Sequence, residues 1–228
     1  MTAYFGYADN QGAYILSDTA ACANDGILHE VTSKVRWNAG QNLAVVGAGD
    51  AWLCSRIAEV LCSMADAVGD AEAALRMLPA TVRDIGKQFD DWKSEVEADE
   101  DSGANLLVAT FNHKSGGQIL EFRTSDGFDN GKLVPAFETI KVRQGGTHVV
   151  DLQAAGVELQ LNGKPPLRKW LDYNGGTLME LARHQRQSGK HYDVGGVVEL
   201  TVLSSRGARR SELKRWPEDQ IGMPIAPI

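Results

Sequence analysis

Two amphipathic helical stretches stand back to back between blocks of short β-type runs, and this blockwise order is what most limits the folds open to the chain. From Asp50 to about Val68 the residues Trp52, Leu53, Ile57, Val60, Leu61, Met64 and Val68 recur at spacings of three and four, the stripe of a helix with one buried face, and Asp50 can cap it. A second stripe runs from about Asp70 to Val96 through Leu75, Leu78, Val82, Ile85, Phe89 and Trp92, with Pro79 expected to kink or divide it.

Before the helices, Tyr4 to Tyr7 and Ala13 to Leu16 flank the turn cluster Asp9-Asn10-Gln11-Gly12. Ser33 to Trp37 and Leu43 to Val46 flank Asn38-Ala39-Gly40-Gln41-Asn42, so four strands are expected ahead of any helix. After the helices, Asn105 to Asn112 and Gln118 to Arg123 flank Lys114-Ser115-Gly116-Gly117, and a weaker run from Phe137 to Arg143 ends at Gly145-Gly146; these are expected to form a second sheet. A helical region from about Leu167 to Gln187, interrupted at Asn174-Gly175-Gly176, leads to a closing hairpin. There Gly195-Gly196 opens a strand to Leu203, and Ser205-Arg206-Gly207 turns into Arg209 to Trp216. Strands in blocks and helices in blocks predict an α+β fold of mostly antiparallel sheets with helices outside, four layers in the order αββα.

Composition narrows the function. In 228 residues, 30 Asp and Glu against 23 Lys and Arg leave a net charge of −7, and no dense Lys/Arg cluster is present to neutralise a run of phosphates, which argues against nucleic acid. No apolar run reaches membrane-spanning length and no basic-then-apolar leader pattern opens the sequence, so neither a membrane nor a secretory route is expected. Cys22, Cys54 and Cys62 lack CxxC spacing, which suits a reduced, cytosolic chain with no structural metal. The acidic run Glu95 to Asp101 reads as a solvated loop. The five histidines form no recognisable triad, and His191 with Asp193 lacks a third metal ligand nearby.

Chemistry concentrates at the start of the chain. Loss of Met1 would expose Thr2 at the head of a strand with a free α-amino group, and an amine with a pKa of about 7.7 to 8.0 can take the proton of the hydroxyl on its own residue. Asp18 lies sixteen residues beyond Thr2 and Lys34 thirty-two beyond it. A lysine beside the amine would lower its pKa, and an aspartate would pair with that lysine and fix it, so removal of either is expected to harm rate more than folding. A glycine after a strand lets a carbonyl approach its N–H, which makes Gly47 the first candidate oxyanion donor and Gly49 the second, in Gly47-Ala48-Gly49.

The Thr, Asp and Lys spacing, the two-strand opening and the Gly-containing turn before a long helix resemble the proteasome β-subunit type of N-terminal nucleophile (Ntn) hydrolase. The resemblance is specific over about Thr2 to Val68 and covers the rest by element order. It implies a single domain over 1–228, a four-layer Ntn-hydrolase sandwich, and threonine-type cleavage of peptide or amide bonds without a cofactor. It also implies a homo-oligomeric ring, and any ATP-dependent unfoldase that feeds it would be a separate protein, since no GxxxxGK[ST] loop occurs in this chain. The likeness departs near the C-terminus: in Tyr192-Asp193-Val194-Gly195-Gly196, Val194 stands where the family has Ser and His191 where it has Asp. Thr147 is a loose match for a second supporting Ser. A catalytically inactive scaffold or binding subunit is the alternative, and a small-molecule amidase on the same fold is a third.

Overall fold

The computed structural model describes residues 3–23, 25–96, 103–123, 134–136, 143–146, 166–186 and 191–227. The fold is α+β with antiparallel sheets. One five-stranded sheet has the order β10-β1-β2-β11-β12, built from β1 (Ala3–Ala8), β2 (Gly12–Ser17), β10 (Arg143–Gly146), β11 (Val197–Ser204) and β12 (Gly207–Arg215). The other has the order β5-β6-β7-β8-β9, from β5 (Arg36–Asn38), β6 (Leu43–Gly49), β7 (Ala104–Asn112), β8 (Gly116–Arg123) and β9 (Val134–Ala136). A small hairpin, β3 (Ala20–Cys22) with β4 (Leu28–Val31), connects them.

Each of the three larger buried clusters lies between two layers. The helices α1 (Ala51–Val68) and α2 (Ala71–Val96) pack Leu53, Ile57, Leu61, Leu78, Val82 and Phe89 against Leu43, Val45, Leu106 and Val108 of the second sheet. The opposite face of that sheet, with Ala44, Val46, Leu107 and Ile119, meets Tyr4, Ile15 and Leu203 of the first. The first sheet's other face, with Phe5, Tyr7, Leu16 and Leu200, is covered by α3 (Leu167–Arg183) through Trp170, Leu171, Leu178 and Met179. Alternation along a strand explains this sorting, because Ile15 and Leu16 are neighbours in β2 yet belong to different cores.

Several local expectations are corrected. Six strands precede α1, because the stretch after β2 forms the β3–β4 hairpin, whose strands are too short to show alternation. Helix α2 runs unbroken through Pro79. Helix α3 runs unbroken through Asn174-Gly175-Gly176, and packing is the reason. A Cβ on Gly175 would lie 2.6 Å from Leu213 Cδ1 and 3.1 Å from Leu16 Cδ1, so the glycine is where the helix comes closest to the sheet. The strands after the helices do not form a sheet of their own: β7, β8 and β9 continue the sheet begun by β5 and β6, while β10 pairs with β1, with Ala3 opposite Gly146. Most of the weak strand expected over Phe137 to Arg143, and the acidic run beyond Val96, lie outside the described residues.

The Asp50 carboxylate accepts the N–H of Leu53 at 2.9 Å, capping α1 as its sequence suggested. Asp50→Ala should therefore cost about 1 kcal/mol, and Leu61→Ala, which empties a wholly buried position, about 2–5 kcal/mol. Thermal melts of the two variants should show that order; a larger loss for Asp50→Ala would contradict the packing described.

Candidate functional site

Register sets the geometry. Across the first sheet Tyr4 pairs with Ser17, and Ser17 pairs with Glu199, so β1, β2 and β11 share one row at the end of β2. Asp18 follows that row and is wholly buried. Its Oδ1 accepts the N–H of Ala3 at 3.1 Å, and its Oδ2 accepts the N–H groups of Ala20 at 3.2 Å and Gly195 at 3.3 Å. Lys34 Nζ lies 2.9 Å from both carboxylate oxygens, with its side chain 10% exposed. A carboxylate is tolerated in such a place only when paired and hydrogen-bonded, and here it has one cation and three backbone donors. Burial pushes the Asp18 carboxyl above the ordinary carboxylate range, against the pull of Lys34 and of the bonds from Ala3 and Gly195.

Lys34 does not open a strand as expected; it lies in the connector between β4 and β5. That connector is pinned at both ends. Thr32 N–H donates to the Thr19 carbonyl at 2.9 Å, and Arg210 Nη2 donates to the Val35 carbonyl at 2.6 Å. The Arg210 guanidinium also sits 5.2 Å from the Trp37 ring centroid. Asp18 and Lys34 are thus brought together as the spacing suggested. Thr2 lies outside the described residues, and what is described is the next residue, Ala3, whose N–H the Asp18 carboxylate holds.

Gly47 lies within β6, opposite Leu106, rather than after the strand. A Cβ there would lie 2.7 Å from Cys54 Sγ and 2.9 Å from Leu106 Cδ2, so the bare position is where α1 settles onto the sheet. Beyond Val45, the last residue paired with β5, the strand continues through Gly47 to Gly49, which has φ of 117°.

Two features had no clear sequence signal, the roles of Thr19 and of Arg183 with Asp219. Thr19 is buried, and its Oγ1 accepts the N–H of Val197 at 2.8 Å. Arg183, at the end of α3, is wholly buried and grips the Asp219 carboxylate, whose side chain is 1% exposed. The diglycine Gly195-Gly196 lies between these groups and Asp18. Val194 is buried, and its carbonyl accepts from Arg183 Nη1 at 2.9 Å. His191 packs against Gly26, where a Cβ would lie 2.6 Å from the histidine Cβ, and Thr147 lies outside the described residues. Among the described residues no group of three or more His, Cys, Asp and Glu could hold a metal ion, and no helix is long and apolar enough to cross a membrane. Burial pushes the Cys22 and Cys62 thiols up to about 11 and Cys54 to about 12, so all three stay protonated, and poor nucleophiles, at neutral pH. Compared with protein-family models and with curated proteins, the sequence finds no match.

Burial adds a folding role to the catalytic one expected of the pair. Lys34→Met should cost about 3–5 kcal/mol at pH 8, because it leaves Asp18 buried without its cation. Adding Asp18→Asn should recover part of that loss in denaturant titrations, since it removes the charge but turns an NH2 towards a backbone N–H that the carboxylate accepted. Additive losses in the double variant would contradict the pairing.

Proposed function

We propose that the chain is an N-terminal threonine hydrolase of the proteasome β-subunit type, cleaving peptide or amide bonds through an acyl-enzyme on Thr2 after removal of Met1. The observation that carries this reading is the double use of Asp18. One carboxylate fixes Lys34 in a bidentate contact and also holds the N–H of Ala3, one peptide bond from Thr2. A cation anchored by a buried carboxylate at the head of β1 is what an N-terminal amine needs to act as a base. The arrangement of cores fits a four-layer αββα Ntn-hydrolase sandwich in one domain over 1–228, with α1 and α2 on one sheet, α3 on the other and the two sheets face to face.

In this reading the Thr2 amine takes the proton of the Thr2 hydroxyl as the oxygen attacks the scissile carbonyl. Lys34 keeps the amine unprotonated near neutral pH, and Asp18 keeps Lys34 in place. A backbone N–H of the Gly47 to Gly49 stretch receives the developing oxyanion. The amine returns its proton to the departing amine product, leaving an ester on Thr2, which water then hydrolyses by the same base. The substrate is a peptide or protein. By the same resemblance the chain works as a homo-oligomeric ring, any ATP-dependent unfoldase being a separate protein, and its cysteine usage suits the cytoplasm. An inactive scaffold or binding subunit is the second reading, and Val194 favours it: the residue before the diglycine brings a buried apolar side chain and only its carbonyl to the polar network.

Hydrolysis of a fluorogenic peptide should vanish in Thr2→Ala and fall nearly as far in Lys34→Ala; full turnover in either variant would overturn the mechanism. On the acid side two protons should silence the enzyme. One sits on the amine, and the other on Asp18, whose raised pKa places it above the usual 3.8 and whose neutralisation releases Lys34. The logarithm of the rate should therefore steepen to a slope of about two as pH falls through these values. A slope of one throughout the acid limb would contradict the part given to Asp18.

A further inference from the structure

We infer that Asp219, gripped by Arg183, is a positioning residue for the Asp18–Lys34 pair and acts on it through Gly195-Gly196; its bearing on catalysis rests on the hydrolase reading above. Two carboxylates hold adjacent backbone N–H groups of this diglycine: Gly195 donates to Asp18 Oδ2 at 3.3 Å and Gly196 to Asp219 Oδ2 at 2.7 Å. A shift of the segment towards either carboxylate therefore changes both contacts. The Gly195 carbonyl is fixed as well, accepting from Thr19 N–H at 3.3 Å and Ala20 N–H at 3.1 Å, and the Gly196 carbonyl accepts from Trp216 N–H at 3.0 Å.

Asp219 is itself immobilised. Arg183 Nη1 donates to Asp219 Oδ2 at 2.8 Å and Nη2 to Oδ1 at 2.7 Å, a two-pronged contact with side-chain exposures of 0% and 1%. Arg183 Nη1 also donates to the Val194 carbonyl at 2.9 Å, Nη2 to Glu218 Oε1 at 3.2 Å, and the guanidinium lies 4.7 Å from the Trp216 ring centroid. The glycines are what allow this closeness. A Cβ on Gly195 would lie 2.4 Å from Asp219 Oδ2 and 2.9 Å from Arg183 Nη1, while Gly196 has φ of 76° and its Cβ would meet Thr19 Oγ1 at 2.7 Å.

Stability alone is a poor reason for such a pair, because well-packed apolar side chains commonly serve a core equally well or better. Its position, one peptide unit from a donor to Asp18, gives it a task that apolar side chains cannot perform. Of the charged and titratable groups around Asp18, Lys34 faces it from the connector, the Cys22 thiol and Asp193 lie in the same region, and Asp219 stands across the diglycine with Arg183, which also binds Glu218. Losing the grip of Asp219 weakens the Gly195 N–H bond, one of those that favour ionised Asp18.

The test uses the full chain and the variant Arg183→Met/Asp219→Leu, which removes both charges together. It follows the Asp18 carboxyl by carbon-13 NMR titration alongside peptide turnover. The expected result is a folded protein in which the Asp18 midpoint moves upward, the steepening of the acid limb moves up with it, and kcat falls about tenfold with KM little changed. A folded variant with the midpoint and kcat of the wild type overturns the inference. Should the double variant fail to fold, Arg183→Lys keeps the charge and loses the two-pronged contact: smaller shifts in the same directions support the inference, and none overturns it. A wild-type chain without turnover would remove the hydrolase reading, yet the titration would still decide the coupling, upheld by a moved midpoint and overturned by an unmoved one.

Discussion

The buried carboxylate of Asp18 is the constraint around which the site end of the molecule is arranged. Its donors come from the first strand, from the hairpin just after it, from the connector before β5 and from the diglycine before β11. Because Tyr4, Ser17 and Glu199 share one row, a slip of one residue between β2 and either neighbour would carry a donor away and turn core side chains to the wrong face. Sheet register and the ion pair therefore support each other: apolar packing on both faces of the first sheet fixes the register, and the register delivers the donors.

Two opposing effects meet at this carboxylate. Loss of water disfavours its charge, while Lys34 and the backbone donors favour it. A lysine held in a bidentate contact by a buried aspartate is a cation whose position is fixed before any substrate arrives, and such preorganisation makes electrostatic assistance effective. Burial is also the strongest influence on the three cysteines, and it leaves them protonated at neutral pH. Nucleophilic chemistry at these thiols is thus disfavoured.

Local order was readable from the residues where periodicity was long or turn chemistry strong. The β1–β2 hairpin, the Asp50 cap, α1, α2 and the β11–β12 hairpin all lie within a few residues of where the pattern puts them. What escaped depends on contacts between distant segments. Gly175 and Gly176 read as a break because the sequence does not show Leu16 and Leu213 waiting beneath the helix. Gly47 read as lying beyond the strand end for the same reason, its partner being Cys54 on α1. Three- and four-residue strands such as β3 and β4 are too short for alternation to register, and nothing local assigns β10 to the edge of β1. Asp18 and Lys34 could be paired from spacing, but Arg183 and Asp219 could not. They lie 36 positions apart, and only the packed structure shows them as an ion pair beside the diglycine.

The central claim, that Thr2 acts as an N-terminal nucleophile prepared by Asp18 and Lys34, is tested most directly by the intact mass of the purified protein before and after exposure to a peptide epoxyketone. That reagent reacts with both the hydroxyl and the amine of an N-terminal threonine. The account predicts a protein lacking Met1 that gains one stoichiometric adduct, which Thr2→Ala does not form. A protein that retains Met1 and gains no mass would contradict it.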